Sequence, residues 1–288
     1  MADTVEKQDI RGLDIDKAVK GFALINYVFK NMVNVSTTSA DTVRWYQETA
    51  ADLTATAPMT VANKAILALP VNLEESWTRN TSTIQEYMAE GTISEMDIKS
   101  SDIDVFSRTL LRLTRAVIKQ VDTKIYNAIS EDQSPVNIGT AAATGTGWDD
   151  VSGGNPILDI MAGQQNMAEN GYDALGGAVW MNPKNHKDLM NYLITVKGSS
   201  IPQFSTEKVK SGVVMNLLGM RVVVNPNVVA DSVWLGHPAQ ALTWKSHTGT
   251  TAHIIPNPGL NKKIRVLERG IDQLTDPLAS YLITDTDT

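Results

Sequence analysis

The sequence contains four histidines, a residue type that can support catalysis or metal binding. None of the four histidines stands in an HExxH motif or in a similar ligand spacing. His247 and His253 are predicted to lie on neighbouring strands and could approach each other there, but no acidic residue has a recognisable spacing to them. All four are therefore interpreted as surface or hydrogen-bonding histidines: His186, His237, His247 and His253.

Two aspartate pairs, Asp149–Asp150 and Asp285–Asp287, could bind a divalent cation, but neither has the glycine and glutamate of a calcium loop. Gly145-Thr-Gly147 resembles the start of a dinucleotide-binding fingerprint, yet the third glycine and a preceding strand are missing. The sequence has no cysteine, which excludes disulfides, thiolate metal sites and cysteine nucleophiles. The sequence thus predicts no metal site, no cofactor and no enzymatic activity.

Four basic residues share one face of a long helix that is predicted from about Asp102 to Glu131. At ~100° per residue they fall within an arc of ~60°, with apolar residues on the opposite face. Like charges at this spacing destabilise a helix by a few tenths of a kcal/mol per pair. The pattern therefore indicates a surface that faces nucleic acid or acidic groups of a neighbour, and a solvated face with scattered ion pairs is the alternative. We call these residues the basic row: Arg108, Arg112, Arg115 and Lys119.

The bulk composition limits the partners of the protein. The formal net charge is −7, so any contact with DNA has to come from a local basic surface. No apolar run approaches the ~20 residues that cross a bilayer, and the N-terminus is too polar and acidic for a secretory signal. The sequence predicts a protein that is made and kept in a cytoplasm, or that leaves it by a route other than secretion.

The stretch before the long helix, from about Arg44 to Ile93, is predicted to be an extended hairpin arm with a mobile tip. An arm of ~50 residues with so few core-forming residues cannot fold alone, so we expect it to lie on another copy of the protein. An amphipathic helix from about Asp14 to Met32 precedes it, and packs either on its own core or on a neighbour. The arm residues expected at the contact are Arg44, Trp45, Lys64, Glu74, Glu75 and Trp77.

A Gly/Ala/Thr connector at 139–147 follows the long helix and is interpreted as a subdomain boundary. An α/β block comes next, with helices that begin at Asn155-Pro156 and Asn182-Pro183 on either side of a buried strand, Gly177–Met181. A polar loop then carries Lys197, Lys208 and Lys210. The strands predicted after it are Met220–Asn225, Ser232–Leu235, Ala241–Lys245, Ala252–Ile255, Lys262–Leu267 and Leu278–Thr284.

The order of these parts resembles a tailed-bacteriophage major capsid protein of the Hong Kong 97-type fold. The resemblance extends over nearly the whole chain, and it is carried by Val179–His186, Leu217–Asn225, Leu235–Leu242 and Ile264–Leu282. It implies an α+β fold with five parts. These are an N-terminal arm with the amphipathic helix (1–40), an extended hairpin loop (41–95), a peripheral domain with a spine helix (96–150), an axial α/β domain (151–258) and return strands of the peripheral domain (259–288).

The resemblance also implies a function. Family members form hexamers and pentamers that tile an icosahedral shell around double-stranded DNA, in a virion assembled in the host cytoplasm. It implies that the three loop lysines lie near the capsomer axis, that the hairpin overlaps the adjacent subunit, and that the basic row faces inward. Portal, scaffolding or decoration proteins are further expected partners, and a membrane is not. Some members join subunits by an isopeptide bond, but the surroundings of Lys64 do not match that pattern.

Two alternatives remain open at this point. An encapsulin-type shell has the same fold and encloses enzyme cargo in a cell, and the amphipathic helix is compatible with it. A soluble α/β ligand-binding protein or enzyme is the alternative from a different class. Such a protein should be a small oligomer with a pocket, whereas a shell protein should sediment as very large particles or capsomers.

Overall fold

The computed structural model describes residues 27–47, 78–100, 104–130, 138–150, 153–195 and 216–287. The chain divides into two compact units. The first unit consists of Met1–Val43, Ser82–Ile125 and Trp244–Asp272, and the second of Arg44–Thr81, Tyr126–Thr243 and Gln273–Thr288.

The helices and strands alternate irregularly along the chain. The first half contains β1 (Asn34–Thr37), β2 (Thr42–Gln47), β3 (Thr78–Thr83), β4 (Gln85–Ser94), α1 (Glu95–Ser100), α2 (Val105–Asn127) and β5 (Gly139–Ala142). The second half contains α3 (Pro156–Glu169), β6 (Ala178–Met181), α4 (Pro183–Thr195), β7 (Asn216–Leu217), β8 (Met220–Val224), β9 (Val233–Gly236), α5 (Pro238–Ala241), β10 (Leu242–Asn257), β11 (Asn261–Leu274), a 3₁₀ helix (Pro277–Ala279) and β12 (Ser280–Thr284).

The first unit packs helix α2 against a sheet with the strand order β1-β10-β11-β4. Strands β4 and β11 pair antiparallel without interruption from Asn261↔Ser94 to Gly270↔Gln85. Helix α2 approaches β4 closely at Gly91, where a Cβ would lie 3.0 Å from Thr109 Cγ2 and 3.2 Å from Leu113 Cδ1, so a larger residue would be tightly packed there. The buried face of α2 is apolar, as its sequence predicts, and carries Leu110, Val117, Val121 and Ile125.

Helix α2 is slightly shorter than the predicted span of about Asp102–Glu131. Asp104 precedes its first turn and accepts hydrogen bonds from the Ser107 backbone N–H (3.0 Å) and hydroxyl (2.6 Å). These bonds lower the pKa of Asp104. A side chain that caps the first turn in this way replaces a backbone partner that the helix cannot supply, so the helix begins directly after Asp104.

The last residues of the predicted amphipathic helix form a turn. In residues 27–33 the backbone N–H groups of Met32 and Val33 both donate to the Phe29 carbonyl, at 2.9 and 3.1 Å. The predicted helix was therefore wrong for this part. Tyr27 and Phe29 are both buried, and two residues that stand two positions apart would point to opposite sides of a helix. Residues 14–26 lie outside the described part of the chain.

The second unit contains a sheet with the strand order β5-β12-β9-β6-β8-β7. Strands β6 and β9 lie inside this sheet and are buried along their whole length, with Trp180 directly opposite Trp234. Both predicted Asn-Pro helix starts are present. The Asn155 side chain accepts from the Leu158 N–H at 3.3 Å, and the Asn182 side chain accepts from the Lys184 N–H at 3.0 Å.

Three predicted strand assignments differ from the structure. The spans Ala241–Lys245 and Ala252–Ile255 are parts of one strand, β10, so His247 and His253 lie on the same strand and do not face each other across two. The connector at 139–147 supplies β5, which pairs parallel with β12. Strand β12 also pairs with β9, so it belongs to the sheet of the second unit and not to a return of the peripheral sheet.

The described part of the chain contains neither a membrane helix nor a cluster of metal ligands. None of the described helices is long and apolar enough to cross a membrane. Within the same residues, no group of three or more histidine, aspartate and glutamate side chains is arranged to hold a metal ion.

Candidate assembly surfaces

The basic row lies on the exposed side of α2. All four of its side chains are exposed, while Leu110 and Val117 on the opposite face are 3% and 1% exposed. Among the described residues none of the four forms an ion pair. The neighbouring Lys124 differs, because its Nζ lies 3.7 Å from Asp272 Oδ1. The row is thus a set of uncompensated positive charges on a rigid helix, which suits contact with a polyanion or an acidic surface.

Three basic residues of β11 are paired with glutamates of the neighbouring strand β4. Arg265 Nη2 lies 2.7 Å from Glu90 Oε2, and Lys263 Nζ lies 3.4 Å from Glu90 Oε1. Arg269 Nε donates to Glu86 Oε2 at 2.7 Å. Hydrogen bonds from Arg265 and then from Lys263 lower the pKa of Glu90. The cations of this sheet face are therefore neutralised locally, unlike those of the basic row.

Two buried carboxylates hold residues 27–33. Asp122 on α2 is 1% exposed and accepts from the Val28 N–H (2.9 Å) and the Lys30 N–H (3.2 Å). Glu268 on β11 is fully buried, accepts from the Thr250 hydroxyl at 2.9 Å, and is bound by the Tyr27 hydroxyl and the Lys30 ammonium group.

The two carboxylates are compensated differently. Burial raises the pKa of Asp122 to about 6, and the backbone N–H groups of the segment offset only part of this effect. Glu268 has Lys30 as an ion-pair partner. Burial, followed by the charge of Glu268, raises the pKa of Tyr27. Asp122 forms no ion pair among the described residues, although the charge of Lys30 also lowers its pKa. An ionised carboxylate that is taken out of water without an ion-pair partner destabilises the fold, so this destabilisation is larger for Asp122 than for Glu268.

The sequence contained a signal for one of these carboxylates. The two-residue alternation of β11 places Glu268 on the buried face with Ile264 and Val266. Asp122 had no comparable signal, because on a helical wheel it lies only ~50° from the middle of the basic row and so belongs to the polar face.

Two of the predicted arm residues are described. Strands β2 and β3 pair as a two-stranded sheet at the ends of the predicted hairpin. Arg44 is exposed, and Trp45 is half-buried and donates its Nε1–H to the Leu274 carbonyl at 3.3 Å. The tip is not described, so the predictions for Lys64, Glu74, Glu75 and Trp77 lie outside the described residues. The same holds for the loop lysines Lys197, Lys208 and Lys210.

Acidic residues from the two aspartate pairs have partners within the second unit. Asp150 accepts from the Thr146 hydroxyl, and Asp287 pairs with Lys184. The polar centre of this region is Asp159, which sequence reasoning missed. It is buried and accepts from Trp148 Nε1 at 2.7 Å and from the Thr144 N–H at 3.0 Å. These contacts give the acidic residues a structural role.

Comparison with known proteins identifies the family. A model of the family described as phage capsid protein matches residues 79–254, more than half of the 288 residues. The chain belongs to the phage capsid protein family. Members of this family are structural shell proteins, and membership implies a component of a virion. No curated protein matches the sequence.

Solved structures show the same mixed helix and sheet fold over nearly the whole of this capsid protein. The capsid of cyanophage P-SCSP1u has a TM-score of 0.68 at 10% identity, and covers 91% of this chain and 89% of its own. A structure from Mycobacterium phage Che8 has a TM-score of 0.65 at 15% identity, with coverages of 91% and 93%. A virus-like particle from Pyrococcus furiosus has a TM-score of 0.64 at 12% identity, with coverages of 94% and 98%. At these identities the likeness establishes the fold alone.

Proposed function

We propose that this protein is the major capsid protein of a tailed bacteriophage, and that its copies form hexamers and pentamers of an icosahedral shell around double-stranded DNA. The observation that carries the proposal is the match to the phage capsid protein family over residues 79–254. The fold supports it, because capsid structures are similar to the chain over about nine-tenths of its length.

The contact with DNA is assigned to the basic row. The whole chain has a formal charge of −7, so a polyanion needs a local site, and α2 presents four exposed cations without ion-pair partners in the described residues. Each neutralised phosphate releases counterions, and a row repeated in every subunit gives a large total effect from weak individual contacts. We therefore propose that this face of α2 is turned to the shell interior.

The contacts between subunits are assigned to the hairpin arm and to the lysine loop. The arm begins with the exposed Arg44 on β2 and returns through β3 directly into β4. We propose that it overlaps the adjacent subunit, and that Lys197, Lys208 and Lys210 lie near the capsomer axis. An arm that gains contacts only in the assembled shell would make assembly cooperative.

A cellular protein compartment is the second candidate. The observation that favours it is the similarity to a virus-like particle from Pyrococcus furiosus, which covers 98% of that chain. The two candidates share the fold and the self-assembly, and they differ in what the shell encloses.

Negative-stain electron microscopy of the purified particles, with absorbance at 260 and 280 nm on the same fraction, tests the proposal. Closed shells that contain nucleic acid support a capsid. Shells filled with protein support the compartment. A uniform small oligomer that forms no shell under any assembly condition would contradict both.

Charge variants test the basic row within the same assay. Arg112→Glu with Arg115→Glu should reduce the DNA content per particle, because it converts two cations per subunit into anions. Arg112→Lys with Arg115→Lys is the matched control, since it keeps both charges and should leave the DNA content unchanged. Equal DNA content and particle yield in both variants would show that the row does not face the DNA.

A further inference from the structure

Residues 27–33 are fastened to the first unit by Asp122 and Glu268, which lie far away in the sequence. We propose that these two carboxylates form a releasable latch on this segment, which closes more tightly in mildly acidic than in neutral solution. Because residues 27–33 follow residues 1–26, the latch fixes the position of the segment to which the N-terminal residues are joined.

The Asp122 half of the latch acts on the backbone. Its two oxygens accept from the N–H groups of Val28 and Lys30, at 2.9 and 3.2 Å. Buried backbone donors need partners, and both bonds are lost together if the segment lifts away from α2. The segment therefore docks or leaves as one piece, with the buried Phe29 side chain between the two bonded amides.

The Glu268 half of the latch acts on side chains. Tyr27 and Lys30 both bind this carboxylate, and Lys30 Nζ also lies 4.5 Å from the centroid of the Tyr27 ring. Thr250 on β10 donates to Glu268 at 2.9 Å and so orients it. A buried carboxylate with a cation and two hydroxyl groups is well compensated, so this half holds the segment through specific bonds.

The pH dependence comes from Asp122. The charged and titratable groups that face Asp122 are Lys30 and Tyr27 of the segment. Glu268 of β11 binds these same two side chains. Burial raises the pKa of Asp122 to about 6 in the closed latch. In the open state water reaches the carboxylate and its pKa returns to the ordinary value of 3.8.

The sign follows from proton linkage. The closed state binds a proton more tightly than the open state, so the closed-to-open ratio is highest in acid and falls as the pH rises to about 6. With pKa values of 3.8 and about 6, the ratio falls about 25-fold between pH 4.5 and pH 7.5. Above that range Asp122 is ionised in both states and the ratio becomes constant.

Hydrogen exchange of the unassembled subunit at pH 4.5, 6.0 and 7.5 tests the latch. Exchange rates are corrected for the intrinsic effect of pH, which gives the protection of the Val28 and Lys30 amides at each pH. We expect this protection to fall about 25-fold from pH 4.5 to pH 7.5. Protection of these two amides that does not change with pH in the wild-type protein would overturn the proposal, whether or not any variant folds.

Two variants identify the responsible carboxylate. Asp122→Asn should abolish the pH dependence, because the side chain no longer titrates. Asp272→Asn is the matched control. Asp272 is another carboxyl whose pKa is raised by burial, but its partner is Lys124 and not the segment, so this variant should keep the wild-type fall in protection. A fall that persists in Asp122→Asn would contradict the assignment.

The latch and the shell can fail independently. The latch is measured on the single subunit and does not rest on the proposed function, although its effect on the N-terminal arm in a shell does. A pH-dependent segment in a protein that never forms particles would support the latch and contradict the shell. Normal particles, together with a protection of the Val28 and Lys30 amides that does not change with pH, would support the shell and contradict the latch.

Discussion

Gly270 on β11 lies directly against the indole ring of Trp244, and replacing it with alanine should destabilise the first unit. A Cβ at this position would lie 2.7 Å from Trp244 Cε2 and 2.9 Å from the Lys245 carbonyl oxygen. Carbon atoms in van der Waals contact prefer a separation of ~3.5–4.0 Å, so either the ring or the strand has to move by ~1 Å. The ring cannot move into solvent, because Trp244 is fully buried.

An alanine substitution at a second glycine separates the cost of overpacking at Gly270 from the effect of alanine on the unfolded chain. Overpacking a buried site costs about 1–3 kcal/mol. Alanine also restricts the unfolded chain more than glycine does, which returns about 0.4–1 kcal/mol. A Cβ at Gly249 on β10 would have no atom within 4 Å apart from its own chain neighbours, so Gly249→Ala shows the second effect alone. The difference between the two variants, about 1–3 kcal/mol, is therefore the cost of displacing Trp244.

Urea unfolding of the unassembled subunit, followed by tryptophan fluorescence, measures this difference. The midpoint for Gly270→Ala should fall below that of the wild type, while that of Gly249→Ala should stay at the wild-type value or rise slightly. Equal midpoints for the two alanine variants would refute the reasoning, because they would show that the indole or the strand adjusts without cost.

The remaining predictions concern carboxylates in each unit. Asp159→Ala should lower the unfolding free energy by about 2–4 kcal/mol, because the Trp148 and Thr144 donors lose their buried acceptor. Asp159→Asn retains one acceptor oxygen, so its unfolding free energy should fall less than that of Asp159→Ala. Urea unfolding in which both variants match the wild type would be inconsistent with this role of Asp159. Glu90→Gln should slightly reduce stability at neutral pH by removing the partner of Arg265. Since the pKa of Glu90 is lowered in the folded state, this difference should vanish as the pH falls through that pKa, and a difference that persists in strong acid would argue against the ion pair.

Local sequence signals correctly predicted the helices that begin at a clear capping residue. Asn155-Pro156 and Asn182-Pro183 both open helices, and the apolar face of α2 is the buried one. The prediction divided strand β10 into Ala241–Lys245 and Ala252–Ile255, and Thr248-Gly249-Thr250 lies between these two spans. The strand continues there because its pairing partners and the buried Thr250 hydroxyl, which binds Glu268, maintain it. A hydrogen bond to a residue elsewhere in the chain has no signature in a local window.

The candidate sites also differ in whether a local sequence signal could predict them. The exposure of the basic row followed from helical periodicity, because all four residues belong to one continuous helix. The latch could not be predicted, since it joins a turn, a helix and two strands that are separated by up to 241 positions. The sheet position of β12 was missed for a related reason. The short apolar run Tyr281-Leu-Ile283 is typical of a buried strand but does not identify the neighbours of that strand.

The position of β12 between β5 and β9 sets the time at which the second unit is complete during translation. Strand β5 has no other partner in the described sheet, so after Ala142 is synthesised it waits for Ser280–Thr284. At ordinary rates of synthesis this delay is on the order of ten seconds. The edge of β5 stays open throughout it, and the edge of β9 stays open from the synthesis of Gly236 onwards. A chain that terminates before Ser280 keeps both edges open. Only a chain that includes β12 can therefore cover both edges.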